Sequence, residues 1–247
     1  MNTAVQIIKK ANVPLQMVMF PFGGGSGYSY MELIKEVEAH AEILVINPPG
    51  RLLDRVKPLE SIEDMVNLYV KELRPLLKPN CLFFGHSIGG IVSYETLKAL
   101  QKEFEIKKMV ISNINPPHRA KDNVDLHSDM DKEALIQKSI DLGGMPQLFK
   151  NEPELLEMFI GGLRADLKAL EAYQPEPIEN IKKMKVKTVI LYSSGDYIVD
   201  SVHLREWEHY LDCTEFVEFP GDHFYLFENS NRKRLAQILS KHLRHIT

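Results

Sequence analysis

Seven short runs of Val, Ile, Leu, Met and Phe recur along this chain of 247 residues, at 5–8, 16–21, 43–47, 81–85, 109–113, 188–192 and 215–219. Most are apolar at nearly every position, the pattern of strands covered on both faces. Stretches of helical period lie between several of them. Across 61–78, Ile62, Met65, Val66, Tyr69, Val70, Leu73 and Leu77 share one face, and Ser61 with Asp64 makes a capping-box-like start. The segments 88–104, 203–211 and 232–246 also read as helices. Strands alternating with helices specify an α/β fold, a mainly parallel sheet with helices on both sides.

The alternation lapses once. From about 116 to 183 there is no convincing strand but two helical stretches, 131–142 and 152–173. The second carries Leu156, Phe159, Ile160, Leu163, Leu167 and Leu170 on a broad apolar face, and Pro175 and Pro177 mark the return to the sheet. We expect a helical lid over the C-terminal edge of the sheet, inserted in one domain spanning 1–247; two ordinary crossover helices are the plainer alternative. A net charge of -4 provides no basic face for nucleic acid. The longest apolar runs, 16–22 and 81–84, fall far short of a membrane span, and residues 1–10 lack the features of a signal peptide. Cys81 and Cys213 are too few for a disulfide framework, and Cys81 reads as a packed thiol. The expectation is a soluble cytoplasmic protein.

The most informative stretch is Cys81-Leu-Phe-Phe-Gly-His-Ser-Ile-Gly-Gly. An apolar strand runs into Gly85-His86-Ser87-Ile88-Gly89, and a helical pattern follows at once. That is a nucleophile elbow in its required context, and it narrows the expectation to an α/β-hydrolase fold with Ser87 as nucleophile. The turn is so tight that the positions two residues either side of the serine must be small, as Gly85 and Gly89 are. A serine hydroxyl needs a base, and in this fold the chain order is serine, acid, histidine. Of nine histidines, His223 lies in the loop after the last apolar run and before the terminal helix, where the base belongs. His86 reads as a packed neighbour of the serine. His40, His203, His209, His242 and His245 suit surface or capping roles, and His118 and His127 suit exposed positions in the lid segment.

The acid should follow the run 188–192. Asp196, in the turn directly after Ser193-Ser-Gly, is favoured; Asp200 stays open as the alternative or as a helix cap, and Asp222 reads as a turn residue. Two amides should form an oxyanion hole: that of Ile88, and that of Gly23 in the glycine-rich Phe20-Pro-Phe-Gly-Gly-Gly-Ser-Gly. No Lys-Ser/Thr follows that loop, so a phosphate-binding reading fails. Neither a metal nor a cofactor is called for.

The sequence resembles the stand-alone type II thioesterases of nonribosomal peptide and polyketide synthesis. The resemblance rests on Phe20-Pro-Phe-Gly-Gly-Gly-Ser, Pro49-Gly-Arg with Arg55 beyond it, Gly85-His-Ser-Ile-Gly, Leu142-Gly-Gly-Met-Pro, Leu163-Arg-Ala-Asp-Leu and Gly221-Asp-His-Phe-Tyr-Leu, spread over roughly 16–240. It departs from the family pattern in four places: Tyr197 stands where proline usually follows the acid, Gly23 replaces a small residue with a side chain, Asn47-Pro-Pro has an extra proline, and Arg55 comes one residue late. The resemblance places nucleophile, acid and base on Ser87, Asp196 and His223. It implies hydrolysis of acyl thioesters on the phosphopantetheine arm of a carrier protein, with release of stalled or misprimed acyl groups. The carrier would come in trans, since no L-G-G-x-S element is present. The lid's apolar face would line the acyl channel, lid movement would admit the arm, and the enzyme would act as a monomer. A general carboxylesterase or lipase, an acyltransferase, and a noncatalytic binding relative are the rival readings.

Overall fold

A computed structural model describes residues 3–51, 54, 56–122, 124–145, 149 and 151–246. Seven strands form one sheet: β1 (Val5–Lys9), β2 (Leu15–Phe20), β3 (Glu42–Ile46), β4 (Asn80–His86), β5 (Lys108–Ser112), β6 (Met184–Ser193) and β7 (Leu211–Phe219). Their spatial order is β1-β3-β2-β4-β5-β6-β7. β1 runs antiparallel to β3, and every other pair is parallel. The α/β-hydrolase architecture expected from the sequence is the one observed.

The continuous apolar runs are explained by two separate cores. Val18 and Phe20 of β2, Leu44 and Ile46 of β3, and Cys81 and Phe83 of β4 point into one core. Their alternates Met17, Met19, Ile43, Val45, Leu82 and Phe84 point into the other. Helices α2 (Ile62–Leu73) and α3 (Ile88–Leu100) cover the first face; α1 (Met31–Glu36) and α6 (Asn229–Arg244) cover the second. Ser61 caps α2 by accepting the Asp64 amide at 3.3 Å. α2 stops sooner than its apolar pattern, because Pro75 has no N–H to continue the ladder. The segment expected as a helix over 203–211 is a 3-10 helix, Ser201–His209, leading almost directly into β7.

Between β5 and β6 lie α4 (Lys132–Asp141) and α5 (Pro153–Ala172). They share a satellite apolar cluster of Leu135, Met145, Phe159, Ile160, Leu163 and Leu167. The last turns of α5 join the main core through Ala169, Leu170 and Tyr173. The middle of α5 thus packs with α4 on the satellite cluster, while its last turns and Leu142 after α4 join the main core. Arg55 and Pro146, two residues of the family resemblance, lie outside the described residues.

Candidate active site

Four loops leave the C-terminal ends of parallel strands and meet above the middle of the sheet. β4 is the fourth strand of seven, and Ser87 follows it as N-cap of α3 with φ 55° and ψ -134°. The turn leaves no room at its flanks. A Cβ on Gly85 would lie 2.3 Å from the Gly89 carbonyl oxygen, and one on Gly89 would lie 2.4 Å from that of Pro21. Ser87 N–H donates to the Ser112 carbonyl at 2.8 Å, which ties the elbow to β5. The hydroxyl thus sits at the positive end of α3.

His223 arrives from the loop after β7. Its Nε2 is 3.0 Å from Ser87 Oγ, and its Nδ1 is 2.7 Å from Asp196 Oδ2. The His223 and Asp196 side chains are 4% and 0% exposed, so the bond between them is shielded from water, while Ser87 is half-buried. Asp196 is itself held: its Oδ1 accepts the Ile198 and Val199 amides at 2.8 and 3.2 Å. Asp200 caps the 3-10 helix instead, accepting the Val202 amide at 2.9 Å. Asp222 accepts the Phe224 amide within its own turn.

The second loop is Phe22-Gly-Gly-Gly, which leaves β2 beside the elbow because Phe20 pairs with Gly85. Gly25 N–H donates to the Phe22 carbonyl at 2.9 Å, and Gly24 has φ +76°. This is a type II turn with glycine where a positive φ demands it. A Cβ on Gly23 would lie 3.8 Å from Ile88 Cγ2, so the two candidate oxyanion residues adjoin. Among the described residues neither the Gly23 nor the Ile88 amide donates to a protein acceptor.

Several contributors carry no short sequence motif. Asn113, at φ 43° just past β5, donates through Nδ2 to Ser193 Oγ (2.8 Å) and to the His223 carbonyl (2.9 Å). Its Oδ1 accepts the Ser193 amide at 2.9 Å, so one side chain staples the acid loop to the histidine loop. Beneath the triad geometry, His86 Nδ1 lies 2.9 Å from Ser112 Oγ, which lies 2.8 Å from Tyr225 Oη. Burial holds the His86 imidazole well below the ordinary histidine range, and nearby His223 adds to that effect.

Two histidines differ from the sequence expectation. His118 is not an exposed lid residue: it stacks on Tyr210, donates or accepts at 2.9 Å with its hydroxyl, and meets Glu206 at 2.6 Å. Arg119, with His203 and His118, pulls the Glu206 carboxyl down to about 2 against its partial desolvation. His242 is buried in α6 rather than exposed, 3.3 Å from Glu215. Cys81 is buried as a thiol, as expected, and burial pushes its pKa up.

A Thioesterase domain family model matches residues 15–243. The chain belongs to the thioesterase family. Among its relatives is Thioesterase PikA5 of Streptomyces venezuelae, 28% identical over 237 residues that span 94% of this chain and 82% of the relative. Two solved structures agree over nearly the full length. The type II thioesterase BorB from the borrelidin biosynthetic cluster superposes with a TM-score of 0.87 at 25% identity, covering 98% of each chain. YbtT, the type II thioesterase from the yersiniabactin NRPS/PKS pathway, gives 0.81 at 28% identity, covering 98% of this chain and 99% of its own. This thioesterase is a hydrolase, as the resemblance in its sequence implied. Among its described residues no helix is long and apolar enough to cross a membrane.

Proposed function

We propose that this thioesterase cleaves acyl groups from the phosphopantetheine arms of carrier proteins supplied in trans, within nonribosomal peptide or polyketide synthesis. The supporting observation is the hydrogen-bonded line Asp196–His223–Ser87, with distances of 2.7 and 3.0 Å, beside two unengaged amides at Gly23 and Ile88. Ser87 Oγ attacks the thioester carbonyl while His223 Nε2 accepts the hydroxyl proton. The Gly23 and Ile88 amides hold the oxyanion of the tetrahedral intermediate. His223 returns the proton to the departing thiolate, leaving an acyl ester on Ser87. Water, deprotonated by His223, attacks that ester; the acid leaves and Ser87 regains its proton. Asp196 fixes the imidazole tautomer through Nδ1 and stabilises the imidazolium formed in each half-reaction. These steps use protein groups, substrate and water, with no cofactor.

The pantetheine arm has to reach Ser87 past the insertion, and we assign α4 and α5 the role of a lid. An apolar cavity of about 210 Å³ lies between the glycine loop and α5, walled by Phe22, Phe149, Leu155, Met158 and Phe159, with Arg51 at its edge. Ser87 does not line it. Opening of α5 would admit the acyl chain past Ser87 toward this cavity, and its return would close an apolar wall over the chain. In this reading the protein acts as a cytoplasmic monomer.

Mass spectrometry of acids released from a panel of acyl-loaded carrier proteins tests the proposal. The same acyl groups presented as small free thioesters and as oxyesters serve for comparison. The expected result is a kcat/KM on at least one loaded carrier well above that on its free thioester. Equal values across carrier, free thioester and oxyester would favour a general esterase and contradict the carrier assignment.

A further inference from the structure

A run of three glycines has almost no conformational preference of its own, yet an oxyanion hole works only when its donors are fixed before the charge develops. The fixation comes from outside the loop. Asp166, on the insertion helix α5, accepts the Gly24 amide through Oδ2 at 2.7 Å and Arg51 Nη2 through Oδ1 at 2.6 Å. Arg51, in the loop after β3, also donates through Nε to the Gly25 carbonyl at 3.3 Å. The two side chains are 4% and 6% exposed. Asn47 holds the far end of the loop by accepting the Gly27 amide at 2.9 Å. The guanidinium lies against the backbone of α5 at Gly162, where a Cβ would fall 2.5 Å from Arg51 Nη1.

The geometry of the turn gives these contacts a specific consequence. Type I and type II turns differ by a flip of the central peptide plane, here the Gly23–Gly24 peptide. Asp166 accepts the N–H of that very peptide and so selects one orientation. The Gly25 N–H to Phe22 carbonyl bond then fixes the preceding peptide, whose N–H is that of Gly23. A buried ion pair contributes little net stability compared with apolar side chains of the same size, so stability alone does not account for this one.

We propose that Asp166 and Arg51 are positioning residues that lock the glycine loop in its oxyanion-binding turn, so that the hole is complete only while α5 is seated. The inference rests on the proposed role of the Gly23 amide. It makes α5 more than a cover: its descent over the substrate assembles part of the catalytic apparatus, and its departure releases the loop.

The test replaces both charges at once, Arg51→Met with Asp166→Leu, and separately makes Asp166→Asn. Three quantities are measured: thermal midpoint, kcat and KM on a loaded carrier, and inhibition by an acyl trifluoromethyl ketone. That ketone forms a hemiketal with Ser87 and places an oxyanion in the hole. The double variant is expected to melt within a few degrees of the parent and to lose about 10²–10³-fold in kcat, the cost of one oxyanion donor, with KM nearly unchanged. Ketone affinity should weaken in parallel. Asp166→Asn keeps an oxygen for the Gly24 amide and should lose less, about tenfold. A folded double variant with near-parental kcat overturns the inference, as does a kcat loss without weaker ketone binding. If the double variant does not fold, undiminished kcat in Asp166→Asn overturns it. Failure of the parent to bind the ketone at all would instead remove the proposed function on which the inference rests, and the inference with it.

Discussion

Asp196 and Asp200 share one loop, and what each carboxylate accepts separates them. Asp196 receives two amides through one oxygen and His223 through the other, whereas Asp200 receives the Val202 amide as a cap. Asp196→Asn should therefore leave the fold intact and lower kcat by about 10³–10⁴-fold, by allowing the wrong imidazole tautomer. Asp200→Asn should retain most activity and lose no more than about 1 kcal/mol of stability as a cap. Steady-state kinetics and denaturant melts of both variants check this, and equal activity losses would contradict it. The residues that hold these groups were harder to read in the sequence. Gly85, Gly89 and Ser87 announce themselves because sterics restrict the elbow to a short local pattern. Asn113 acts across the tops of three strands, on Ser193 and His223, and no local spacing encodes that. Asp166 was visible only inside a family-like string; its partners Gly24 and Arg51 are distant in sequence. His118 reads as exposed in the sequence for the same reason, its partners Tyr210 and Glu206 coming from beyond β6.

At the scale of elements, apolar runs and helical periods gave strand and helix positions well, because burial on both faces of a parallel sheet leaves few polar residues in a strand. Two features escaped. α1 is six residues long, too short for a periodic signal, and Ser201–His209 is 3-10 rather than α. Helix α5 supplies an internal contrast between adjacent glycines. A Cβ on Gly161 meets nothing within 4 Å, whereas one on Gly162 would strike the Arg51 guanidinium at 2.5 Å. Gly161→Ala should raise stability by about 0.5–1 kcal/mol through helix propensity alone. Gly162→Ala should lower it by about 1–3 kcal/mol through overpacking, and should reduce kcat by moving Arg51. Thermal melts with parallel kinetics separate the two, and a Gly162→Ala variant as stable and active as Gly161→Ala would count against the packing described.

Across the whole molecule, two cores hold a sheet whose C-terminal edge gathers the site, and two buried imidazoles, His86 beneath the site and His242 on α6, contribute to its response to acid. His86 is held below its ordinary range by burial, and so is His242, where Lys108 adds to the effect. Below about pH 6.5 the unfolded chain binds protons that these folded imidazoles refuse, so stability is full above that pH and falls beneath it. Each group contributes a slope of up to about 1.4 kcal/mol per pH unit. Denaturant melts between pH 7.5 and 5.5 should show this slope, reduced in His86→Gln; an unchanged slope would contradict the buried, neutral His86. Transfer of the acyl group to Ser87 can be observed directly. A loaded carrier is mixed with the enzyme, quenched in acid within milliseconds, and the digested protein is analysed by mass spectrometry. An acyl adduct is expected on the peptide containing Ser87, and both adduct and turnover should be absent in Ser87→Ala. An adduct on another residue, or release that persists in Ser87→Ala, would contradict transfer to Ser87.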